Sequence, residues 1–256
     1  MNRRFFLATS SLGAAQLCLN SQGNASRAQD GLTPTKNSGA NSQESQPRES
    51  KTQASSATST VFQGESLDDW MTLDGGPVRI GWQAKEGEIF LKRSLIKAGH
   101  IVTKKEFGDF ELAFEWKIAK GGNSGIKYRV RKYGDRTLGC EYQIYDPNGK
   151  AVEPINKTAS LYDLYEPDPS VNVLEPGEWN SAKIVVKGDR IEHWLNGTIV
   201  VQATVGDSQW QKRLSESKFN DAKDFAKNKC GRIMLTDHGS DVSYRKFEFT
   251  TFETPC

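Results

Sequence analysis

The sequence predicts an all-β fold, a β-sandwich or jelly roll, preceded by an export signal and a linker. Two observations carry this. Roughly a dozen short segments alternate apolar and polar residues with a period of two, and Gly, Asn and Asp stand at the breaks between them. A third separates it from mixed folds: helical spacing is confined to one short segment.

The clearest alternation runs through DFELAFEWKIAK, where Phe110, Leu112, Phe114, Trp116 and Ile118 alternate with Glu111, Ala113, Glu115 and Lys117. Beyond Gly121-Gly122-Asn123, residues Ile126, Tyr128 and Val130 alternate with Lys127, Arg129 and Arg131. The two runs read as an antiparallel hairpin with one buried face. The same pattern recurs in GEIFLK, HIVTKKEF, CEYQIYD, ASLYDLY, GRIMLTD and VSYRKFEFTTF. Gly188-Asp189 and Asn196-Gly197 are two-residue turn signals that make residues 180–204 a three-stranded meander. GDSQWQKRLSESKFN differs, with Asp207 or Ser208 as a cap and Trp210, Leu214 and Phe219 at helical spacing. It is expected to be a short amphipathic helix laid on the sandwich.

Residues 1–28 combine Arg3-Arg4, an apolar run from Phe5 to Leu19 and no acidic residue, the pattern of a twin-arginine-like bacterial export signal cut after Ala25 or Ala28. The run is too short for a membrane span of ~20 residues. Residues 29–60 are rich in Ser, Thr, Gln and Asn, lack aromatic residues, and read as a disordered tether. Residues 61–256 hold all six tryptophans and form the expected domain. Such a chain is expected in the periplasm, the cell envelope or outside the cell. A formal net charge of +2, with Lys and Arg scattered among Asp and Glu, gives no support to nucleic acid or an anionic membrane as partner. Once the signal is removed, Cys140, Cys230 and Cys256 remain. Their odd number leaves one unpaired and argues against a disulfide-built scaffold, with Cys140–Cys230 one open pairing. No Cys-x-x-Cys or His-rich spacing suggests zinc.

Strand parity sorts the polar residues by face. Cys140, Tyr142 and Ile144 share one side of their strand, Glu141, Gln143 and Tyr145 the other. If the preceding strand is its neighbour, Arg129, Glu141 and Gln143 line one polar sheet face. The bland reading is a solvated face with cross-strand ion pairs; the nearby Tyr142, Tyr145 and Tyr162 favour a sugar site. Glu141 and Asp146 cannot be a glycosidase pair. Five extended residues separate them by ~16 Å on opposite faces, outside the ~5–9.5 Å that hydrolysis by paired carboxylates requires. In RIMLTDHG, Asp237 shares parity with Ile233 and Leu235, so His238 emerges at a rim before Gly239. It is either turn decoration or a proton-transfer group. His100 and His193 are less informative, and Gly121–Gly125 reads as a turn that could present Asn123 to a ligand.

Five ordered stretches, GGNSGIKYR, EYQIYD, ASLYDLY, PGEWNSAKIVVKGDRIEHWLNG and RIMLTDHGSDVSYRKFEF, resemble the 3-keto-disaccharide hydrolase domain family from about Val61 to Phe252. The resemblance implies a concanavalin A-like lectin/glucanase jelly roll. It also implies action on 3-keto-glycosides supplied by a separate oxidoreductase: proton abstraction at C2, elimination at C1, then hydration. Under it His238 is base or acid with Asp237 orienting it, Glu141 is the complementary acid or base, and Arg129 lies near the keto oxygen. Asn123, Gln143 and Tyr162 bind hydroxyls, and Tyr145, Asp146 and Arg245 complete the expected binding set. Tyr145 stands where the family usually has leucine. No cofactor is expected, although a structural or catalytic divalent metal is compatible with this kind of sandwich. The alternative function is a non-catalytic, lectin-like carbohydrate-binding module.

Overall fold

The computed structural model describes residues 58–62, 64–252 and 256. The expected export signal and most of the expected linker lie outside them. Thirteen strands and one helix follow in the order β1 (Thr58–Phe62), β2 (Trp70–Thr72), β3 (Trp82–Lys85), β4 (Glu88–Leu91), β5 (Ile101–Thr103), β6 (Phe110–Ile118) and β7 (Asn123–Tyr133). Then come β8 (Arg136–Tyr145), β9 (Asn180–Lys187), β10 (Arg190–Leu195), β11 (Thr198–Thr204), α1 (Ser208–Glu216), β12 (Arg232–Leu235) and β13 (Val242–Thr251). Because β1 begins at Thr58, the sheet claims three residues, 58–60, of the stretch expected to be linker.

Every strand pairing within the two sheets is antiparallel. The larger sheet has the order β11-β10-β9-β6-β13-β4-β3, with β1 also on β13; the smaller has the order β2-β5-β12-β7-β8. This is the expected jelly-roll sandwich. Its core is aromatic, with Phe110, Phe114, Trp116, Tyr128, Tyr142, Tyr244, Phe247 and Phe249 each 4% exposed or less. Burial of such rings, at 150–250 Å² apiece, dominates the stability of a sandwich this size.

The expected β6–β7 hairpin does not form. β6 lies in the larger sheet and β7 in the smaller, so Gly121-Gly122 turns the chain from one sheet to the other. Alternation looks the same whichever strand is the partner, which is why the pattern alone could not tell an arch from a hairpin. The 180–204 meander and the helix stand as expected, with the Asp207 carboxylate accepting the Trp210 N–H at 2.7 Å. ASLYDLY is no strand. It runs along the β8 edge through isolated bridges, with Ala159 N–H donating to the Gln143 carbonyl and Tyr162 N–H to that of Glu141. Cys230 pairs with Cys256, not with Cys140, which is buried in the core.

Two bulges centred on residues of positive φ break the period in the strands that matter most for the site and core. In β13, Lys246 has φ +54 and the register shifts between Arg245 and Glu248, so Tyr244 and Phe247 both face inward three positions apart. In β7, Arg129 has φ +50 and the register shifts between Tyr128 and Arg131. Gly231 permits this, because a Cβ there would lie 2.4 Å from the Arg129 carbonyl carbon.

A polar link centred on His193 crosses the core. His193, on β10, bonds through Nε2 to the Tyr128 hydroxyl and through Nδ1 to the Ala159 carbonyl, each at 3.0 Å. It thereby joins both sheets to the segment that carries Tyr162. The carbonyl can only accept, so Nδ1 bears the proton and Nε2 accepts from the tyrosine. Burial pushes the His193 pKa down to about 4 from 6.5. Between these values the unfolded chain binds the additional proton, so His193 contributes stability above pH 6.5 that is lost as pH falls towards 4. That contribution is roughly 3 kcal/mol. Urea midpoints should fall over this interval, and the slope should flatten in His193→Gln; an unchanged slope would refute the assignment.

Candidate functional site

The outer face of the smaller sheet gathers the chemistry. Core packing of Cys140, Tyr142 and Ile144 turns Glu141 and Gln143 outward from β8, as their parity predicts. Lys127 pairs with Glu141 across the β7–β8 ladder, and its Nζ lies 3.6 Å from Glu141 Oε2. Glu141 is only 6% exposed. Its carboxyl needs the space above Gly125, where a Cβ would sit 2.6 Å from Oε1.

Tyr162 and Lys218 close over this carboxyl. The Lys218 ammonium rests 4.0 Å from the centre of the Tyr162 ring, and its backbone N–H donates to Asp163 Oδ2 at 2.7 Å. Burial pushes the Glu141 pKa above the ordinary glutamate value, while Lys127 and Lys218 pull it back. Burial also lowers the Lys218 pKa, against the pull of Glu141 and Asp163. Gln143 Nε2 donates to Asn123 Oδ1 at 3.4 Å, which extends the polar face along the strands.

His100 and His238 stand at the rim with ring centres 5.9 Å apart. The Asp237 backbone N–H donates to His100 Nδ1 at 2.9 Å, which leaves the neutral ring its proton on Nε2. Asp237 turns its carboxylate to the N–H groups of Gly99 and Gly239 at 2.9 and 2.7 Å rather than to the His238 ring. It is therefore both the turn cap and the orienter of His100, where orientation of His238 was expected. Loss of hydration lowers the His100 pKa, aided by Lys127 and opposed by Asp237. Loss of hydration first, and then the cationic influence of His100 and Lys127, push the His238 pKa down to about 4, against the pull of Asp237. The residue is exposed at the rim, and its imidazole is neutral at pH 7.

A cavity of about 1000 Å³ lies elsewhere, between residues 146–158 and 166–173, and reaches Leu195 and Val200 at the sandwich edge. Neither Glu141 nor His238 lines it. Convergent titratable groups with shifted pKa values mark a reactive site better than volume does, and they lie on the sheet face.

The structure thus brings together Glu141, Gln143, Asn123, Tyr162, Asp237 and His238, and separates four other expected residues. Arg129 is carried inward by its bulge, where it bonds to Asp109 Oδ1 at 2.6 Å and to the carbonyls of Gly108 and Gly188. Val130 takes the outer face instead, beside Val102 and Met234. Arg245 projects from the far side of the larger sheet onto Glu115 at 2.6 Å and over the Trp179 ring. Asp146 is buried in a turn, accepting the N–H groups of Gly121 and Asn148. Tyr145 lines the edge cavity and donates to the Lys150 carbonyl. Lys127, Lys218 and His100 were not singled out from sequence. Lys127 shared the parity that placed Arg129, whereas Lys218, just past the end of α1, and His100, just before β5, reach the site by long-range packing that neither period encodes. Among the described residues, no group of three or more His, Cys, Asp or Glu side chains is placed to hold a metal ion.

A jelly roll that gathers a buried carboxyl, two lysines and two imidazoles at one face of its smaller sheet defines a β-sandwich with a chemically equipped face. The chain belongs to the 3-keto-alpha-glucoside-1,2-lyase-like domain family, whose model matches residues 57–250. It is 31% identical to the 3-keto-disaccharide hydrolase of Bacteroides thetaiotaomicron over 228 residues, 73% of this chain and 75% of that one. A crystal structure from Parabacteroides distasonis, of a protein provisionally named a glycosyl hydrolase, superposes with a TM-score of 0.68 at 31% identity. It covers 75% of this chain and 92% of that one. A second, similarly named P. distasonis structure gives a TM-score of 0.58 at 22% identity, over 76% of this chain and 100% of that one.

The inward bonds of Arg129 make a separable prediction. Arg129→Met should destabilise the fold by about 3 kcal/mol, because Asp109 then loses a largely buried partner, while sugar binding by the folded protein persists. Denaturant melts beside calorimetry check it; unaltered stability with lost sugar binding would return Arg129 to the site.

Proposed function

We propose that the outer face of the smaller sheet cleaves 3-keto-glycosides by elimination and hydration. The observation that carries this reading is the buried Glu141 carboxyl, its pKa raised, set against Lys127 and Lys218 on one face. A ketone at C3 acidifies the C2 hydrogen. Glu141 removes that proton, and the electron pair passes into an enolate whose oxygen Lys127 and Lys218 hold. The enolate collapses, the C1–O bond breaks, and the leaving oxygen takes a proton. Water then adds at C1 of the resulting enone to give 3-keto-glucose. His238, neutral and open to water, and His100, with its proton on Nε2, pass protons between solvent and the leaving oxygen. Asn123, Gln143 and Tyr162 are suited to bind hydroxyls. A separate oxidoreductase must supply the keto substrate, and the Arg3-Arg4 leader supports action outside the cytoplasm.

The test incubates the full chain with 3-keto-trehalose and 3-keto-lactose beside the parent sugars and follows release of 3-keto-glucose. Release from keto substrates alone is expected; equal action on the parent sugars would overturn the reading. Glu141→Gln should lower kcat by about 10² to 10⁴-fold and His238→Ala by about 10²-fold, with unchanged circular dichroism. A base must be ionised, so kcat/KM should fall as pH drops through a value above the ordinary 4.5 of glutamate. An acid limb at or below 4.5 would remove Glu141 as the base.

A further inference from the structure

Among the described residues, the most exposed large apolar side chains are Leu95, fully exposed, Ile96 at 67% and Ile80 at 56%. Leu95 and Ile96 lie on the segment that leads into His100, and Ile80 lies on the adjoining segment that leads into β3. Gly81, at φ +75, brings the segment after Ile80 against Ala98, where a Cβ would lie 2.4 Å from that of Ala98. The Trp82 indole N–H donates to the Gly99 carbonyl at 2.8 Å, and the Gly99 N–H donates to Asp237 at 2.9 Å. The other end of the loop is tied down as well, by Arg93 N–H and Lys92 Nζ on the Asp241 carboxylate. Leu95 and Ile96 are thus presented from a loop braced at both ends. Ile96 stands four residues from His100, within ~14 Å of chain. Clustered exposed apolar side chains on a braced loop mark a contact surface.

Building on the proposed reaction, we infer that Ile80, Leu95 and Ile96 form an apolar subsite for the leaving group, so that the preferred glycosides carry an aryl or alkyl aglycone. The position decides this. The loop ends on His100, whose ring centre lies 5.9 Å from that of His238, the two imidazoles assigned to the leaving oxygen, so whatever is bonded to that oxygen is directed towards the loop. A second sugar offers hydroxyls, which these three side chains cannot satisfy, whereas an aromatic or aliphatic group gains by covering them.

The test compares wild type with Leu95→Ser/Ile96→Ser, both side chains being exposed enough to change without disturbing the core. Calorimetry with 4-nitrophenyl glucoside, glucose and trehalose reads the subsite without turnover. Wild type should bind the aryl glucoside about tenfold more tightly than the two sugars, and the double variant should lose that margin. With the 3-keto forms, the ratio of kcat/KM for aryl glucoside over trehalose should fall by the same factor. Equal affinity of wild type for all three ligands, or a margin that survives the double substitution, overturns the inference. So does a double variant that sheds phosphatidylglycerol vesicles while keeping its aryl margin, since the loop, with Lys92, Arg93 and Lys97, would then be a membrane contact. Absence of turnover on every keto sugar would defeat the proposed reaction instead, and the binding margin would still decide the subsite.

Discussion

The inner face of β8 buries Cys140, Tyr142 and Ile144, and that burial holds the position of every residue on the outer face. A slip of one residue would put Glu141 and Gln143 into an aromatic core in place of Tyr142 and Ile144, a change no surface contact could offset. The hydroxyls reinforce the register. Tyr142 donates to the Trp194 carbonyl of the opposite sheet, and Tyr128 meets His193 across the same core. The two sheets are therefore locked at the strands that carry Lys127 and Glu141.

Bulges then decide which side chains leave that pattern. One extra residue in β7 exchanges Arg129 for Val130 on the outer face. This removes a guanidinium from the polar face and spends it on fastening β7 to Asp109 and the Gly188 turn. The bulge in β13 keeps Phe247 and Phe249 inside after Tyr244. Both hold a non-glycine residue, Arg129 or Lys246, in the left-handed region, and the β7 bulge also needs Gly231, whose missing Cβ lets the neighbouring backbone approach.

Electrostatically the site is lopsided. Glu141 is buried among cations, while the remaining carboxylates nearby are occupied with backbone N–H groups: Asp237 with Gly99 and Gly239, Asp163 with Lys218. In the proposed reaction, one carboxyl is thus left to exchange protons and two ammonium groups to hold developing negative charge. That distribution suits chemistry through an enolate better than chemistry through an oxocarbenium ion, which favours a second free carboxylate.

The chain's alternation was enough to identify an antiparallel sandwich, its meander, its capped helix and the outward face of Glu141 and Gln143, because a period of two leaves each strand only one way to bury its apolar side. Alternation is blind to partners, so the arch between β6 and β7 read as a hairpin. It is blind to bulges, so Arg129 was assigned to the wrong face, and parity alone could not show that Arg245 leaves the opposite sheet. Asp146 and Tyr145 followed Glu141 closely in sequence, yet the strand ends there and the turn turns them away. Lys218 and His100 were invisible for a different reason. They arrive from the ends of elements 77 residues after Glu141 and 41 before it, and only the closing of the two sheets brings such distant segments to one face. Local chemistry set which residues face out; long-range packing chose which of them meet.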